Sequence, residues 1–429
     1  MLKGAVQRLV AGGFARNVAT LTGGAALAQL LPLVFAPLLT RLYSPDDFGL
    51  LAVFSAWLSN LAVIATARYD MAIVLPKDER DAERLMTLAL AINLALLLVL
   101  TALLLPAHGW IAATLGAPAL GPWLLVLPGG VWLAGSLQAW TSWNNRQRRY
   151  PANAQGRVMQ SLGVTLAQLG AGWAGLGFAG LIAGSLAGQA LALLAQARAD
   201  LATRLTWLRG HRRAELAALA RRYAEFPKIN TPHAFVVAFQ DSLMLALLTS
   251  LAGHAVVGQY ALVLRVLKLP AALLGQAVSQ VIFRDLAEAH AHGRAMTPLL
   301  ARALAVLAGA ALLPFGLLLV AAEPLFGWVF GAGWREAGVI AATLVPYLAA
   351  AFVAGPCFMV PMVIGRQRAS FLFVLIGVVV NMAAFAAVFV ASRDALLAFK
   401  VMSGVMSLYF AAYVAWIFRL LRRLETHGA

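Results

Sequence analysis

Apolar residues come in blocks of about 20 along the whole chain, separated by short polar stretches, and a block of that length covers a hydrocarbon core of roughly 30 Å as a helix. Twelve blocks lie near residues 17–39, 48–66, 85–106, 120–143, 156–175, 178–197, 231–252, 256–283, 298–322, 338–364, 369–391 and 396–418. A helix satisfies its own backbone in lipid, so each block predicts a membrane span. Only the turn "AGLGFAG" around Gly177 separates the fifth from the sixth. Residues 198–229 form the one long polar connection and divide the pattern into two groups of six. The expected organisation is an N-lobe at 1–197, a basic amphipathic linker at 198–229 and a C-lobe at 230–429.

Composition agrees with this pattern. Hydrophobic residues make up 62% of the chain, charged residues 12%, and mean hydropathy is +0.82, which excludes a soluble globular protein. The net charge of +16 raises nucleic acid as a partner, but the cations alternate by loop. The amino terminus, the 198–229 connection and every second loop hold 26 of the 33 Lys and Arg, whereas the opposite loops hold only Arg41, Arg335 and Arg393. Under the positive-inside rule both termini are expected to be cytoplasmic.

Chemistry on a substrate finds no support. Neither a phosphate-binding glycine loop nor a zinc-binding histidine pair occurs, so no metal or cofactor is expected. No cleavable signal peptide is evident, and the sole cysteine, Cys357, lies inside the tenth span. The loops expected outside the cytoplasm are too short for a catalytic domain.

Several polar segments have plain structural readings. In "YSPDDFG" Ser44 or Asp46 reads as the cap of the second span. In "LPKDERDAER" Pro76 reads as opening a helix on which Lys77 and Asp81 pair. Within the linker, Leu201, Leu205, Trp207, Leu208, Leu216 and Leu219 interleave with arginines, which suggests an interfacial helix beside anionic headgroups or a bare topological connection.

Charge inside the spans is more selective. Arg302 and Lys400 lie close enough to span ends to snorkel, and Arg68 borders the second span, so all three are candidate cavity cations with a boundary alternative. Arg265 and Lys268 lie roughly 13 to 18 Å into the eighth span at 1.5 Å per residue, where snorkelling is poor. They share a helix face with Gly258, Ala261, Ala272, Gly275, Gln276 and Ser279, a small and polar stripe suited to lining a wet cavity. Leu264, Leu267 and Leu274 occupy the other side, and Pro270 loosens the helix between. Asp241 in the seventh span falls at the depth of Arg265, as an ion-pair partner or a coupling group. One carboxylate cannot neutralise two cations. Gln29, Asn60, Gln138 and Trp140 are weaker cavity candidates, able equally to bridge helices.

"RYDMAIVLP", "RRYAEFPKINTPHAF", "VGQYALVLRVLKLP" and "LFGWVFGAGWREAG" resemble, in that order, segments of bacterial polysaccharide flippases. These are the O-antigen translocase-like members of the multidrug, oligosaccharidyl-lipid and polysaccharide exporter superfamily. The resemblance implies an all-α membrane protein of about 12 transmembrane helices in two six-helix lobes around a central cavity. It implies translocation of an undecaprenyl-pyrophosphate-linked oligosaccharide, an O-antigen or exopolysaccharide repeat unit, from the cytoplasmic to the periplasmic leaflet of the inner membrane by alternating access. Arg265, Lys268, Gln276, Gln29 and Asn60 would then face substrate, with Asp241 pairing or titrating. A proton or sodium gradient would drive the cycle, and a polysaccharide polymerase and chain-length regulator would be partners. The alternative is a facilitator-type secondary transporter of a soluble anion, but "ARYDMAIVLPKDERDAER" lacks the glycine-rich, Asp-Arg-Gly-Arg-Arg type motif of that class.

The loop charges generate a topology prediction. Cysteine accessibility should place 198–229 in the cytoplasm and 323–336 outside; labelling of both from one side would sink the twelve-span arrangement.

Overall fold

A computed structural model describes residues 30–198 and 213–427, and all regular structure within them is helical. In chain order the helices are α1 (Ala36–Leu42), α2 (Pro45–Ile64), α3 (Glu79–Thr114), α4 (Leu127–Arg146), α5 (Tyr150–Trp173), α6 (Gly177–Ala197) and α7 (Arg213–Arg222). They continue with α8 (Thr231–Ala252), α9 (His254–Ala291), α10 (Thr297–Phe330), α11 (Arg335–Ala354), α12 (Gln367–Ser392) and α13 (Ala395–His427). Every expected span from the second to the twelfth coincides with one of these helices. The first falls mostly outside the described residues.

Among the described residues, seven helices are long and apolar enough to cross a membrane, or eight when Pro118–Leu124 and Leu127–Arg146, bent by 56°, count as one span. The protein is a multi-pass membrane protein. α5 is less apolar than those seven helices because it carries polar groups that tertiary partners satisfy. Its Gln168 is buried and donates from Nε2 to the Leu181 carbonyl at 2.9 Å and to Ser185 Oγ at 3.1 Å on α6. Several helices overrun the hydrocarbon. The 36 residues of α3 would extend about 54 Å at 1.5 Å per residue, so its charged first turns project beyond a core of roughly 30 Å.

The helix starts are set by side chains. Ser44 caps α2 in a reciprocal box with Asp47, so the cap is Ser44 rather than Asp46. The other Asp47 oxygen accepts from the backbone of Phe178 at 2.8 Å, so one carboxylate serves the first turns of α2 and α6. Pro76 does not open a helix. Asp78 caps α3, which begins at Glu79, and Asp81 pairs with Arg84 at 3.0 Å instead of Lys77. A carboxylate three residues before a guanidinium reaches it as readily as one four residues away.

The chain divides into two compact units, Met1–Ser250 and Leu251–Ala429, with the division in the last turn of α8. In the first unit Tyr69, Ile73, Leu85, Met86, Trp143 and Leu219 share one buried cluster. In the second, Leu286, Leu300, Cys357, Val360, Tyr413 and Ile417 share another, flanked by Phe358 and Phe373 stacked near Tyr413. Glu425 near the end of α13 accepts from the backbone of Met296 and Thr297 at 2.7 and 2.9 Å and from the Thr297 hydroxyl at 2.9 Å. It caps α10 from a distant helix.

α5 and α6 pack through glycine. A methyl group on Gly188 would lie 2.6 Å from the Val164 backbone nitrogen and 2.7 Å from the Gln160 carbonyl oxygen. Backbone cannot yield as a side chain does, so Gly188→Ala should cost about 1–3 kcal/mol by overpacking. Thermal unfolding in detergent checks this; a midpoint equal to that of the native chain would show that the two helices separate freely.

Candidate functional site

α9 has a packed side and a less packed one. Val257, Tyr260, Val263 and Leu267 are buried, with Tyr260 stacked on Phe399 of α13 at 5.4 Å. Ala261 and Arg265 are half-buried, away from that side. Among the described residues nothing forms an ion pair or hydrogen bond with Arg265. The side chains of Asp241, Lys268 and Gln276, and the whole of Gln29, lie outside the described residues. Toward the start of α9, buried Gln259 donates to Glu336 of α11 at 2.8 Å. That bond joins the segments "VGQYALVLRVLKLP" and "LFGWVFGAGWREAG".

In the first unit, Asn60 on α2 is buried, and its side-chain oxygen has no partner among the described residues. Asn93 on α3 donates to the Trp132 carbonyl at 2.8 Å and to Ser136 Oγ at 3.0 Å, tying α3 to α4, while its own oxygen is unmatched. Gln138 makes only a long contact, 3.4 Å, to the Ala62 carbonyl. Trp140 is core. Arg302 and Lys400 are exposed in the second turns of α10 and α13, in reach of the span ends.

Arg68 has the more unusual setting. It and Ala67 adopt left-handed backbone, φ 61° and 46°, a conformation costing of order 1–3 kcal/mol for each non-glycine residue. Its Nε is buried without a hydrogen-bond partner. Buried Asp70 beside it instead accepts the Thr66 hydroxyl at 2.5 Å.

Two further segments singled out in the sequence also meet. Tyr69 of "RYDMAIVLP" donates its hydroxyl to the Ala220 carbonyl at 3.0 Å, Arg84 reaches Glu215 at 3.1 Å, and Leu219 enters the core. Burial pushes the Tyr69 phenol up, so it remains a donor. α7, the described half of the polar connection, therefore packs on protein as well as carrying exposed arginines. Arg146 at the end of α4 donates to three carbonyls, Ile73 at 3.2 Å, Pro76 at 2.7 Å and Asp78 at 3.2 Å. That fork holds the loop between the short helix Tyr69–Ala72 and α3 in one shape. In the sequence Arg146 is one cation of a cluster and reads only as topology. Asn93, a lone amide in "LALAINLALLL", carried a readable signal.

These helices and their breaks define a fold with known relatives. A multidrug resistance MATE family transporter of the MOP superfamily in an inward-facing conformation superposes with a TM-score of 0.67 at 13% identity, covering 96% of each chain. The lipid II flippase MurJ in an inward closed conformation gives 0.67 at 10% identity over 96% of this chain and 91% of its own. A MOP superfamily transporter from Pyrococcus furiosus gives 0.59 at 15% identity over 98% and 97%. At such identities the likeness is one of fold: the chain shares the all-helical architecture of these proteins. Comparison with curated protein sequences gives no match. Residues 38–339 match the family described as polysaccharide biosynthesis protein, and the chain belongs to that family.

The Arg146 fork generates a further prediction. Arg146→Gln leaves three carbonyls without their charged donor and should free the 73–78 loop, raising tryptic cleavage after Lys77 or Arg80 about tenfold or more for a loss of order 1.5–3 kcal/mol. Unaltered cleavage in native membranes would show that the loop holds its shape without the fork.

Proposed function

We propose that this chain is a flippase for undecaprenyl-pyrophosphate-linked oligosaccharide, an O-antigen or exopolysaccharide repeat unit, and works by alternating access of two six-helix lobes in the inner membrane. Membership of the polysaccharide biosynthesis family supports the glycan, and the MOP fold, shared with a lipid II flippase, supports the lipid-linked carrier. The observation that carries the reading is Arg265, a cation well inside a membrane helix, half-buried, with no described acidic partner. A charge at bilayer depth costs at least about 2.5 kcal/mol on insertion scales and marks a functional site by default.

A pyrophosphate cannot cross hydrocarbon without losing its hydration. Arg265 presents a planar fork of donors matched to phosphate oxygens, and Lys268 one turn on adds a second charge. Gln276, Gln29 and Asn60 would contact sugar or bridging water, and the unmatched oxygen of Asn60 suits a sugar hydroxyl. Arg68 offers a third cation from the strained turn in the first unit. The isoprenoid tail stays in the bilayer while the headgroup crosses. Both termini lie in the cytoplasm in this arrangement, and product is passed to a polymerase and its chain-length regulator.

Asp241 is assigned the coupling role. Phosphate that competes for the cations Asp241 would otherwise pair with favours its protonation, and by reciprocity protonation strengthens substrate binding. In a strain lacking its flippase, Arg265→Gln should lower surface glycan about tenfold or more, the worth of a charge-assisted hydrogen bond, with membrane abundance unchanged. Arg265→Lys should restore only part of it. In reconstituted protein Asp241→Asn should bind substrate without pH dependence. Normal export by the double variant Arg265→Gln/Lys268→Gln would refute the phosphate reading, and a retained pH dependence would remove Asp241 from coupling.

A further inference from the structure

We propose that the polar cavity at the loop end of the first unit, where Lys77 and Arg148 flank Arg146, seats the phosphodiester of an anionic glycerophospholipid beside the exposed apolar edge of Met71, Val74 and Leu75. The cavity holds about 480 Å³ and is lined by Lys77, Glu79, Arg146, Gln147, Arg148 and Tyr150, among others. Arg146 is already fixed by its three carbonyls, so its charge is in place before any ligand arrives. Arg148 stands on a left-handed residue, φ 56°, in the turn between α4 and α5. Among the described residues neither Lys77 nor Arg148 has an acidic partner. Glu79, the one carboxylate of the cavity, accepts from Gln147 at 3.1 Å.

Three cations against one carboxylate call for an anion, and the surroundings specify its source. Met71, Val74 and Leu75 are 46%, 45% and 55% exposed on the same short segment as Lys77. Apolar side chains next to basic ones are the composition of a bilayer interface, where headgroup phosphate and acyl chain meet. Glu79 narrows the class. Its charge opposes a multiply charged pyrophosphate, while its free lone pairs suit a headgroup hydroxyl. A phosphatidylglycerol-type headgroup meets both requirements.

The test uses the full chain in nanodiscs of phosphatidylglycerol or phosphatidylcholine, with lipid retained after detergent exchange counted by native mass spectrometry. The native chain should retain phosphatidylglycerol in preference to phosphatidylcholine. Lys77→Gln/Arg148→Gln should lose that retention about thirtyfold, as expected for two surface cations. Arg366→Gln/Arg368→Gln, an exposed basic pair in the other unit, should keep it. Lys77→Gln alone, at an exposed side chain, keeps the question open to test if the double variant misfolds. Equal retention of the two lipids, or equal loss in the two double variants, would overturn the site in favour of diffuse attraction. The readout needs no transport, so its outcome is independent of the proposed flippase activity.

Discussion

A side-chain amide in a bilayer has no water to turn to, so placing one inside a span favours a partner on a neighbouring helix. The first unit is assembled on this constraint. Thr141, Asn144 and Asn145 on α4 bond with Asn153 on α5, and Thr141 and Asn144 also with Gln196 on α6, through contacts of 2.8 to 3.5 Å. Gln168 ties α5 to α6, and its carbonyl accepts the Tyr43 hydroxyl at 2.6 Å, a phenol pushed up by burial and by Asp47 nearby. Asn93 ties α3 to α4. Apolar surface alone cannot order helices in lipid, because the tails are as apolar as leucine. These amides supply register, and the glycines of α5 and α6 supply closeness.

The second unit solves the same problem differently. Its helices meet through rings, with Phe358, Phe373, Tyr409, Tyr413 and Trp416 in one cluster, and Tyr409 and Tyr413 placing their hydroxyls on the Phe373 carbonyl and near Ser370. Rings give area with little rotamer entropy to lose. Its other polar ties among the described residues include Gln259 to Glu336, Ser403 to the backbone of Tyr347, and Glu425 to the first turn of α10.

Span positions were legible because hydrocarbon thickness imposes a length that composition alone reveals, and α2 to α6 and α8 to α13 lie where the apolar blocks place them. Their ends were less so. α3, α9, α10 and α13 extend well past their apolar blocks, since helix continues wherever caps allow, and caps such as Asp78 and Glu425 are single residues without periodicity. The candidate site was legible in the same uneven way. A cation within an apolar run, such as Arg265, announces itself. The strained turn at Ala67 and Arg68 and the three-carbonyl fork of Arg146 do not, because φ values and carbonyl positions are properties of the folded chain. Lys77 and Asp81 show the limit of helical spacing: two basic partners, Arg84 and Arg222, compete for one carboxylate, and geometry chooses.

Glu425 also fixes an order of events. The amides that open α10 are held by a carboxylate 128 and 129 residues further along, in α13. A ribosome delivers α10 to the membrane long before it has made that carboxylate. During synthesis the start of α10 must therefore rest on water or lipid headgroups, and this tie closes only after Glu425 emerges. Loss of Glu425 alone would spare every span and still leave the second unit unfinished.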